Sequence, residues 1–313
     1  MASWFQPRAA LALLMALAIH THTAPAHAQA SEPAGSNGQV SNTDPHRQAI
    51  DTAFEQAKAV QVTGPADITL RDQALFKLPA GYVWVPEDAA AKLMQAMGNR
   101  TDSRLLGLVM PKDERQNWMV VAKYEDAGYI KDDDAKNWDV DALFKSLKEG
   151  TEAANEERKA QGFAELEIVG WVEKPQYEAS THRLVWSMSA KDKGAPAHEG
   201  AGINYNTYAL GRDGYITLNL LTNQREVEHD KPHASALLSA LSYKEGKRYE
   251  DYNASTDKTA EYGLAALVGG VAAKKLGLFA LAAGFFAKFA KVILLGGIGI
   301  LALLQRIFKR NKT

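Results

Sequence analysis

The chain has 313 residues, with 36 basic and 37 acidic side chains and no cysteine. The lack of cysteine excludes disulfides, thiolate metal sites, cysteine nucleophiles and a lipid-modified N-terminal cysteine. Residues 262–313 hold eight basic side chains and no acidic one, and Arg8 is the only charged residue among the first 28, so the remainder has 27 basic and 37 acidic side chains. This remainder has a net charge of −10 and repels phosphate backbones, so we predict no nucleic-acid partner.

Residues 1–28 predict a signal peptide, because Arg8 precedes an apolar stretch over residues 9–19 and the small residues Ala26 and Ala28 flank His27 before a cleavage point. Residues 29–46 are rich in Ser, Gly, Pro and Asn and predict a flexible linker. We therefore expect an exported mature chain. An exported domain without disulfides but large enough to bury a core unaided favours the bacterial periplasm.

Residues 47–255 predict one extracytoplasmic domain of alternating helix and strand patterns. A helix begins after Asp139, a good N-cap, with Trp138 and Leu143 placed for a hydrophobic staple, and should end at Gly162. Gly211-Arg-Asp-Gly214 between two apolar runs predicts a β-hairpin. The other predicted helices cover residues 50–60, 86–97 and 234–241, and the predicted strands cover residues 68–70, 82–85, 105–110, 118–124, 166–173, 182–189, 203–210 and 215–222. This order predicts an α+β fold with a predominantly antiparallel sheet and packed helices.

The C-terminal region predicts a juxtamembrane stem over residues 256–275, a transmembrane anchor over 276–308 and a cytoplasmic basic tail over 309–313. A single crossing of the bacterial inner membrane leaves the basic tail in the cytoplasm and the N-terminal domain in the periplasm, in agreement with the positive-inside tendency. A two-helix hairpin, which leaves the tail outside, is the second alternative. Small residues at 296, 297 and 299 allow close approach of another membrane helix, so self-association of this helix is a further expectation.

Clustered carboxylates and strand aromatics supply the candidate ligand-binding residues, which are Asp132, Asp133, Asp134, Trp171 and Tyr205. Three adjacent aspartates suggest a hard-cation site, but a calcium loop in this region would have Ala142 in place of glycine and Lys148 in place of the chelating glutamate. A solvated turn or an interaction surface is therefore the favoured interpretation of the aspartates. Core packing is the favoured interpretation of the aromatics, with a ligand groove as the alternative.

The histidines do not predict a metal centre. His198-Glu199 resembles the start of a zinc-protease helix but has no second histidine. His229 and His233 have the i, i+4 spacing of paired ligands, but Pro232 between them argues against a continuous helix. The chain also has no nucleophile elbow, phosphate-binding glycine loop or dinucleotide fingerprint, so we predict neither cofactor nor metal, and no catalytic set can be assigned.

Several segments resemble one bacterial family of membrane-anchored proteins, the domain of unknown function 2167. The matching segments are Leu78-Pro-Ala-Gly-Tyr-Val-Trp84, Tyr124-Glu-Asp-Ala-Gly-Tyr-Ile-Lys-Asp-Asp-Asp134, Asn155-Glu-Glu-Arg158, Gly170-Trp-Val-Glu-Lys-Pro-Gln-Tyr177, Leu210-Gly-Arg-Asp-Gly214, Gly246-Lys-Arg-Tyr-Glu-Asp-Tyr252, Asp257-Lys-Thr-Ala-Glu-Tyr-Gly263 and Gly270-Val-Ala-Ala-Lys-Lys-Leu-Gly277. The resemblance extends from about residue 68 to the C-terminus. It implies a signal peptide, a periplasmic domain and a C-terminal anchor, and it implies no catalytic residue.

Two hypotheses for function follow. The first is a non-enzymatic envelope module that binds an envelope protein or peptide at the inner membrane. The second is a metal-dependent or hydrolytic envelope enzyme that combines Asp132–Asp134 with His182 or His198 through folding. The lack of a recognisable catalytic set favours the first.

Overall fold

The computed structural model describes residues 45–160, 164–196 and 201–270. The predicted signal peptide, the linker before residue 45, His198, the anchor over 276–308 and the basic tail all lie outside these ranges. Within the described ranges, no helix combines the length and the apolar character needed to cross a bilayer.

The described chain contains four α-helices, two 3₁₀ turns and eleven strands. The helices are α1 (Pro45–Val60), α2 (Glu87–Ala96), α3 (Val140–Ala160) and α4 (Val227–Ser239), and the 3₁₀ turns cover Asp133–Asn137 and Tyr249–Asp251. The strands are β1 (Val62–Thr63), β2 (Ala66–Leu70), β3 (Ala74–Leu78), β4 (Tyr82–Pro86), β5 (Leu105–Pro111), β6 (Met119–Glu125), β7 (Leu166–Glu178), β8 (Arg183–Asp192), β9 (Gly202–Leu210), β10 (Tyr215–Asn223) and β11 (Leu241–Tyr243). Residues 265–270 are also helical.

Eight strands form one sheet in the order β1-β4-β5-β6-β10-β9-β8-β7, and every pairing in it is antiparallel. A second, three-stranded antiparallel sheet has the order β11-β3-β2. The predicted α+β class with a predominantly antiparallel sheet is therefore confirmed. After β6 the chain passes through α3 to the far edge of the large sheet, and three successive strands then return until β10 pairs with β6.

The predicted hairpin is present, and the sheet contains a second one before it in the chain. Tyr215 pairs with Leu210, and the Gly211 N–H donates to the Gly214 carbonyl over 2.8 Å, so the glycine-rich turn joins β9 to β10 as expected. Strands β5 and β6 form the other hairpin. The N-cap of α3 is also as predicted, because the Asp139 carboxylate accepts the Ala142 N–H over 2.9 Å.

Alternation of side chains along the strands gives the large sheet two buried faces. On one face, strands β4, β5 and β6 pack against α1 and α2 through residues such as Ala57 and Leu93. On the same face, strands β7 and β8 pack against α3 through Leu143 and Leu147. The opposite face packs against α4 and the three-stranded sheet, with Phe76 at the centre of that cluster. The result is a three-layer domain with the large sheet in the middle.

The domain continues beyond the predicted boundary at residue 255. Leu264, Leu267 and Val268 are 0%, 4% and 0% exposed and belong to the core cluster that also contains α3 and β8 residues. Arg212 holds the start of this stretch through two bonds of 2.7 Å to the Asp257 carboxylate. We call residues 257–270 the C-terminal segment. As far as residue 270, the predicted stem is thus packed into the domain, because its apolar side chains cover α3 and the sheet.

Candidate functional site

Three polar side chains from separate parts of the chain meet at one end of the β7–β8 hairpin. The Tyr177 hydroxyl donates to Asp132 Oδ2 over 2.8 Å and lies 3.1 Å from His182 Nδ1. The Asp132 carboxylate and the His182 imidazole approach to 4.0 Å. We call this group the Asp132–His182 cluster.

Local backbone structure positions the cluster. Tyr177 lies near the end of β7 and pairs with Leu184 of β8, so the sheet fixes its backbone position. His182 lies in the turn between these strands with a positive φ of 52°, and its carbonyl accepts the Leu210 N–H over 2.9 Å. A non-glycine residue in this conformation needs such support from its surroundings. Asp132 directly precedes the 3₁₀ turn that leads into α3.

The His182 ring of the cluster is the first of a stack of four aromatic rings. The His182 ring lies on Tyr249 with centroids 4.0 Å apart, Tyr249 lies on Tyr129 at 4.4 Å, and Tyr129 stacks on Tyr252 at 3.8 Å. The Tyr249 hydroxyl donates to the Ile130 carbonyl over 2.7 Å. Four rings are thus held in one column, which makes a rigid support with little conformational freedom to lose on binding.

The cluster is open to solvent on one side. The side chains of His182 and Asp132 are 25% and 28% exposed, whereas Tyr249 beneath them is buried. Burial, and then the hydrogen bond to Asp132, raises the pKa of Tyr177 above its usual value. The phenol therefore stays protonated and donates a hydrogen bond, and it is unsuited to act as a nucleophile or base near neutral pH.

The three adjacent aspartates have three different surroundings. Asp132 belongs to the cluster, and Asp133 is exposed. Asp134 accepts the N–H groups of Leu264 and Ala265 over 3.2 and 3.0 Å, and burial raises the pKa of its carboxyl. Asp134 thereby binds the first turn of the helical residues 265–270. In the part of the chain that the structure describes, these aspartates do not form a group able to hold a metal ion.

The two predicted aromatic ligands, Trp171 and Tyr205, lie on opposite faces of the large sheet. Trp171 pairs with Met188 and Tyr205 with Ser187, and successive residues of a strand point to opposite faces. The Trp171 ring packs 5.2 Å from Phe144 of α3. Tyr205 is 4% exposed, and its hydroxyl donates to Glu173 Oε2 over 2.7 Å. The two rings therefore do not line one groove, and both contribute to packing.

Comparison with known proteins places this domain in a family. A family model described as "Protein of unknown function (DUF2167)" matches residues 62–299. The chain belongs to this family. The predicted resemblance is confirmed, and the matched region includes both sheets and the Asp132–His182 cluster. No curated protein matches the sequence.

Among solved structures, this DUF2167 chain is similar to the solution structure of cyanobacterial PsbP (CyanoP) from Synechocystis sp. PCC 6803. The identity is 12%, the alignment covers 59% of this chain and 91% of that chain, and the TM-score is 0.35. A similarity at this level supports no inference about function.

Segments that carry the family resemblance converge at the cluster of this DUF2167 chain. The Tyr129 N–H donates to the Lys258 carbonyl over 2.8 Å, and the Ala260 N–H donates back to the Tyr129 carbonyl over 2.9 Å. The Tyr252 hydroxyl lies 2.7 Å from Thr259 Oγ1. Sequence reasoning selected Asp132 but missed Tyr177, Tyr249 and Tyr252. The signal that could have found Tyr249 and Tyr252 is the Tyr-Glu-Asp sequence at 249–251, which repeats the one at 124–126, whereas Tyr177 has no such signal in its segment.

Proposed function

We propose that this DUF2167 chain is a non-enzymatic binding module of the bacterial cell envelope, tethered to the inner membrane by the region that follows the C-terminal segment. The Asp132–His182 cluster contacts the partner, an envelope protein or peptide. The observation that carries this proposal is that one short stretch, Asp132–Asp134, contacts both the cluster and the residues that lead to the tether. Asp132 faces the cluster, while Asp134 binds the backbone of Leu264 and Ala265, which lead towards the predicted anchor.

The chemistry of the cluster fits a partner with exposed Lys or Arg side chains. Asp132 and the exposed Asp133 offer carboxylate oxygens, which form strong hydrogen bonds with the charged groups of Lys and Arg. The net charge of −10 between the predicted signal peptide and residue 262 would speed the encounter with a basic partner. The rigid aromatic support limits the entropy lost on binding.

The enzyme alternative has one observation in its favour, because folding brings His182 to 4.0 Å from Asp132. The Tyr177 hydroxyl, however, bonds to both groups and occupies the position that a reacting hydroxyl or water would need. Its raised pKa keeps the proton on the phenol. Recognition of a ligand is therefore better supported than proton transfer.

Photo-crosslinking in intact cells tests the binding surface. With p-benzoylphenylalanine in place of the exposed Asp133, we expect a discrete crosslinked adduct to an envelope protein or peptide. The same adduct should be lost when Asp132→Asn and Tyr177→Phe are added to that chain, because the carboxylate and the hydroxyl are then removed without loss of ring volume. The matched control places the photo-reactive residue at the exposed Glu55 of α1. No adduct at position 133, or the same adduct at position 55, would rule out this surface.

Single-cysteine labelling tests the location and orientation of the chain, and the natural sequence has no cysteine to interfere. A membrane-impermeant maleimide applied to spheroplasts should label Glu55→Cys, because this position is on the exposed side of α1. Thr313→Cys should be labelled only after detergent treatment if the anchor crosses once. Labelling at position 313 without detergent would indicate the hairpin, and protection of position 55 would contradict a periplasmic domain.

A further inference from the structure

A second group of polar side chains lies on α4, on the face of the large sheet opposite to α3. His229, Asp230 and His233 bring their ligand atoms within 4.8 Å of one another. Among the residues that the structure describes, these are the three His, Cys, Asp or Glu side chains that lie close enough together to hold a metal ion. Two imidazoles and one carboxylate are a donor set suited to a divalent transition-metal ion such as Zn²⁺.

Asp230 is a buried carboxylate without a strong countercharge. It is 3% exposed, and its contacts are the Thr222 hydroxyl, which donates to Oδ2, and His229 Nδ1, which lies 3.1 Å from Oδ1. Among the described residues, no Lys or Arg forms an ion pair with it. Burying a carboxylate is costly unless a cation compensates its charge, and a divalent ion would supply that charge.

His233 is oriented in the manner of a metal ligand. Its ring stacks on Trp118 with centroids 4.8 Å apart, and Nδ1 lies 2.9 Å from the Tyr82 hydroxyl. When the Nδ1 N–H donates to the Tyr82 oxygen, the Nε2 lone pair is free to bind a metal. Ligating histidines are commonly fixed by such a bond through the other ring nitrogen. Thr222 orients the Asp230 carboxylate in the same way.

The sequence pattern alone argued against this site because of Pro232. In the structure α4 runs from Val227 to Ser239 through Pro232, which lies in its second turn. The missing N–H costs one helical hydrogen bond, and the i, i+4 spacing of His229 and His233 is retained. The third donor, Asp230, is adjacent to His229 in the chain and becomes a candidate only because folding buries its carboxylate beside the imidazole.

We propose that His229, Asp230 and His233 form a mononuclear site for a divalent transition-metal ion, with one coordination position left for an exchangeable ligand. Zn²⁺ with bonds of about 2.0–2.2 Å holds tetrahedral donors roughly 3.5 Å apart, so the donors must move slightly closer on binding. The His229 side chain is 66% exposed and is free to make this adjustment. His233 and Tyr82, which bonds to its Nδ1, also line a cavity of about 440 Å³.

The cavity next to His233 is lined largely by polar residues. Its wall contains Tyr82, Lys112, Asp113 and Gln116. Water suits the open position, since three protein ligands are typical of zinc sites that keep an exchangeable position.

Metal titration of the full-length protein in detergent tests the proposal. The protein carries an affinity tag without histidine, and bound metal is first removed with a chelator that is then dialysed away. Calorimetric titration with Zn²⁺ should show one ion per chain. His229→Gln should weaken the affinity at least tenfold without disturbing the fold, since the side chain is largely exposed. Tyr82→Phe should weaken it about tenfold, as expected for a residue that orients a ligand.

His182→Gln, which removes a histidine of the Asp132–His182 cluster, is the matched control and should leave Zn²⁺ affinity unchanged. Co²⁺ provides a readout independent of heat, because a four-coordinate site should give visible absorption bands that disappear in His233→Gln. Absence of saturable binding by the natural sequence would overturn the proposal. Binding that survives both His229→Gln and His233→Gln would also overturn it, as would loss of binding in the His182→Gln control.

Discussion

Ending the chain after Ser255 is expected to abolish cooperative folding of the domain, whereas ending it after Gly270 should preserve a cooperative unfolding transition. The shorter protein lacks Leu264, Leu267 and Val268, which are almost completely buried in the cluster formed with α3 and β8. Burial of each such side chain contributes about 1.5–3 kcal/mol, so the three together contribute roughly 5–9 kcal/mol. Typical domains have a free energy of unfolding of only about 5–15 kcal/mol.

Circular dichroism during thermal unfolding, combined with size-exclusion chromatography, distinguishes the two truncations. The point variant Leu267→Ala in the longer protein gives an internal check, because removal of a buried leucine side chain costs about 2–5 kcal/mol and should lower the melting midpoint without abolishing it. A monodisperse, cooperatively unfolding protein that ends at Ser255 would show that the C-terminal segment is dispensable. A protein that ends at Gly270 and does not fold would place further core residues beyond position 270.

Gly214→Ala is expected to lower the free energy of unfolding by about 3 kcal/mol or more, because overpacking that forces the backbone to move is costly. A β-carbon at this position would lie 1.9 Å from the Glu125 carbonyl oxygen and 3.1 Å from the Ala127 nitrogen. Neither atom belongs to a flexible side chain, so the β9–β10 turn or the end of β6 must shift. For a domain of this size, we expect the melting midpoint to fall by roughly 6–12 °C.

Gly150→Ala is the matched control for this prediction. Gly150 lies on the exposed side of α3, and a β-carbon there would meet no atom within 4 Å. Because glycine is about 0.8–1.0 kcal/mol less favourable than alanine inside a helix, this variant should be slightly more stable than the natural sequence. Thermal melts of both variants in the full-length protein provide the comparison. Equal midpoints for the two variants would contradict the close backbone contact at Gly214.

The sequence predicted some residues of the candidate site but not the contacts between them. Asp132 and His182 were both candidate residues, but they are 50 positions apart and nothing in their local patterns indicates contact. Their approach to 4.0 Å depends on the β7–β8 turn and on the 3₁₀ turn before α3. Asp133 and Asp134 appeared equivalent to Asp132, yet one is exposed and the other binds the backbone of the C-terminal segment. Adjacent residues of one type can thus have different roles once distant segments pack around them.

The sequence by itself determined the features that depend on neighbouring residues. The Asp139 cap of α3 and the glycine-rich turn between β9 and β10 are set by hydrogen bonds and backbone conformations within a few residues. Strand order, the pairing of β10 with β6 and the meeting of the cluster residues were decided only by the tertiary structure. The same applies to the apolar residues 264–268, since removal from water favours a lipid bilayer and a protein core alike. Only contact with α3 and the sheet shows that these residues complete the domain.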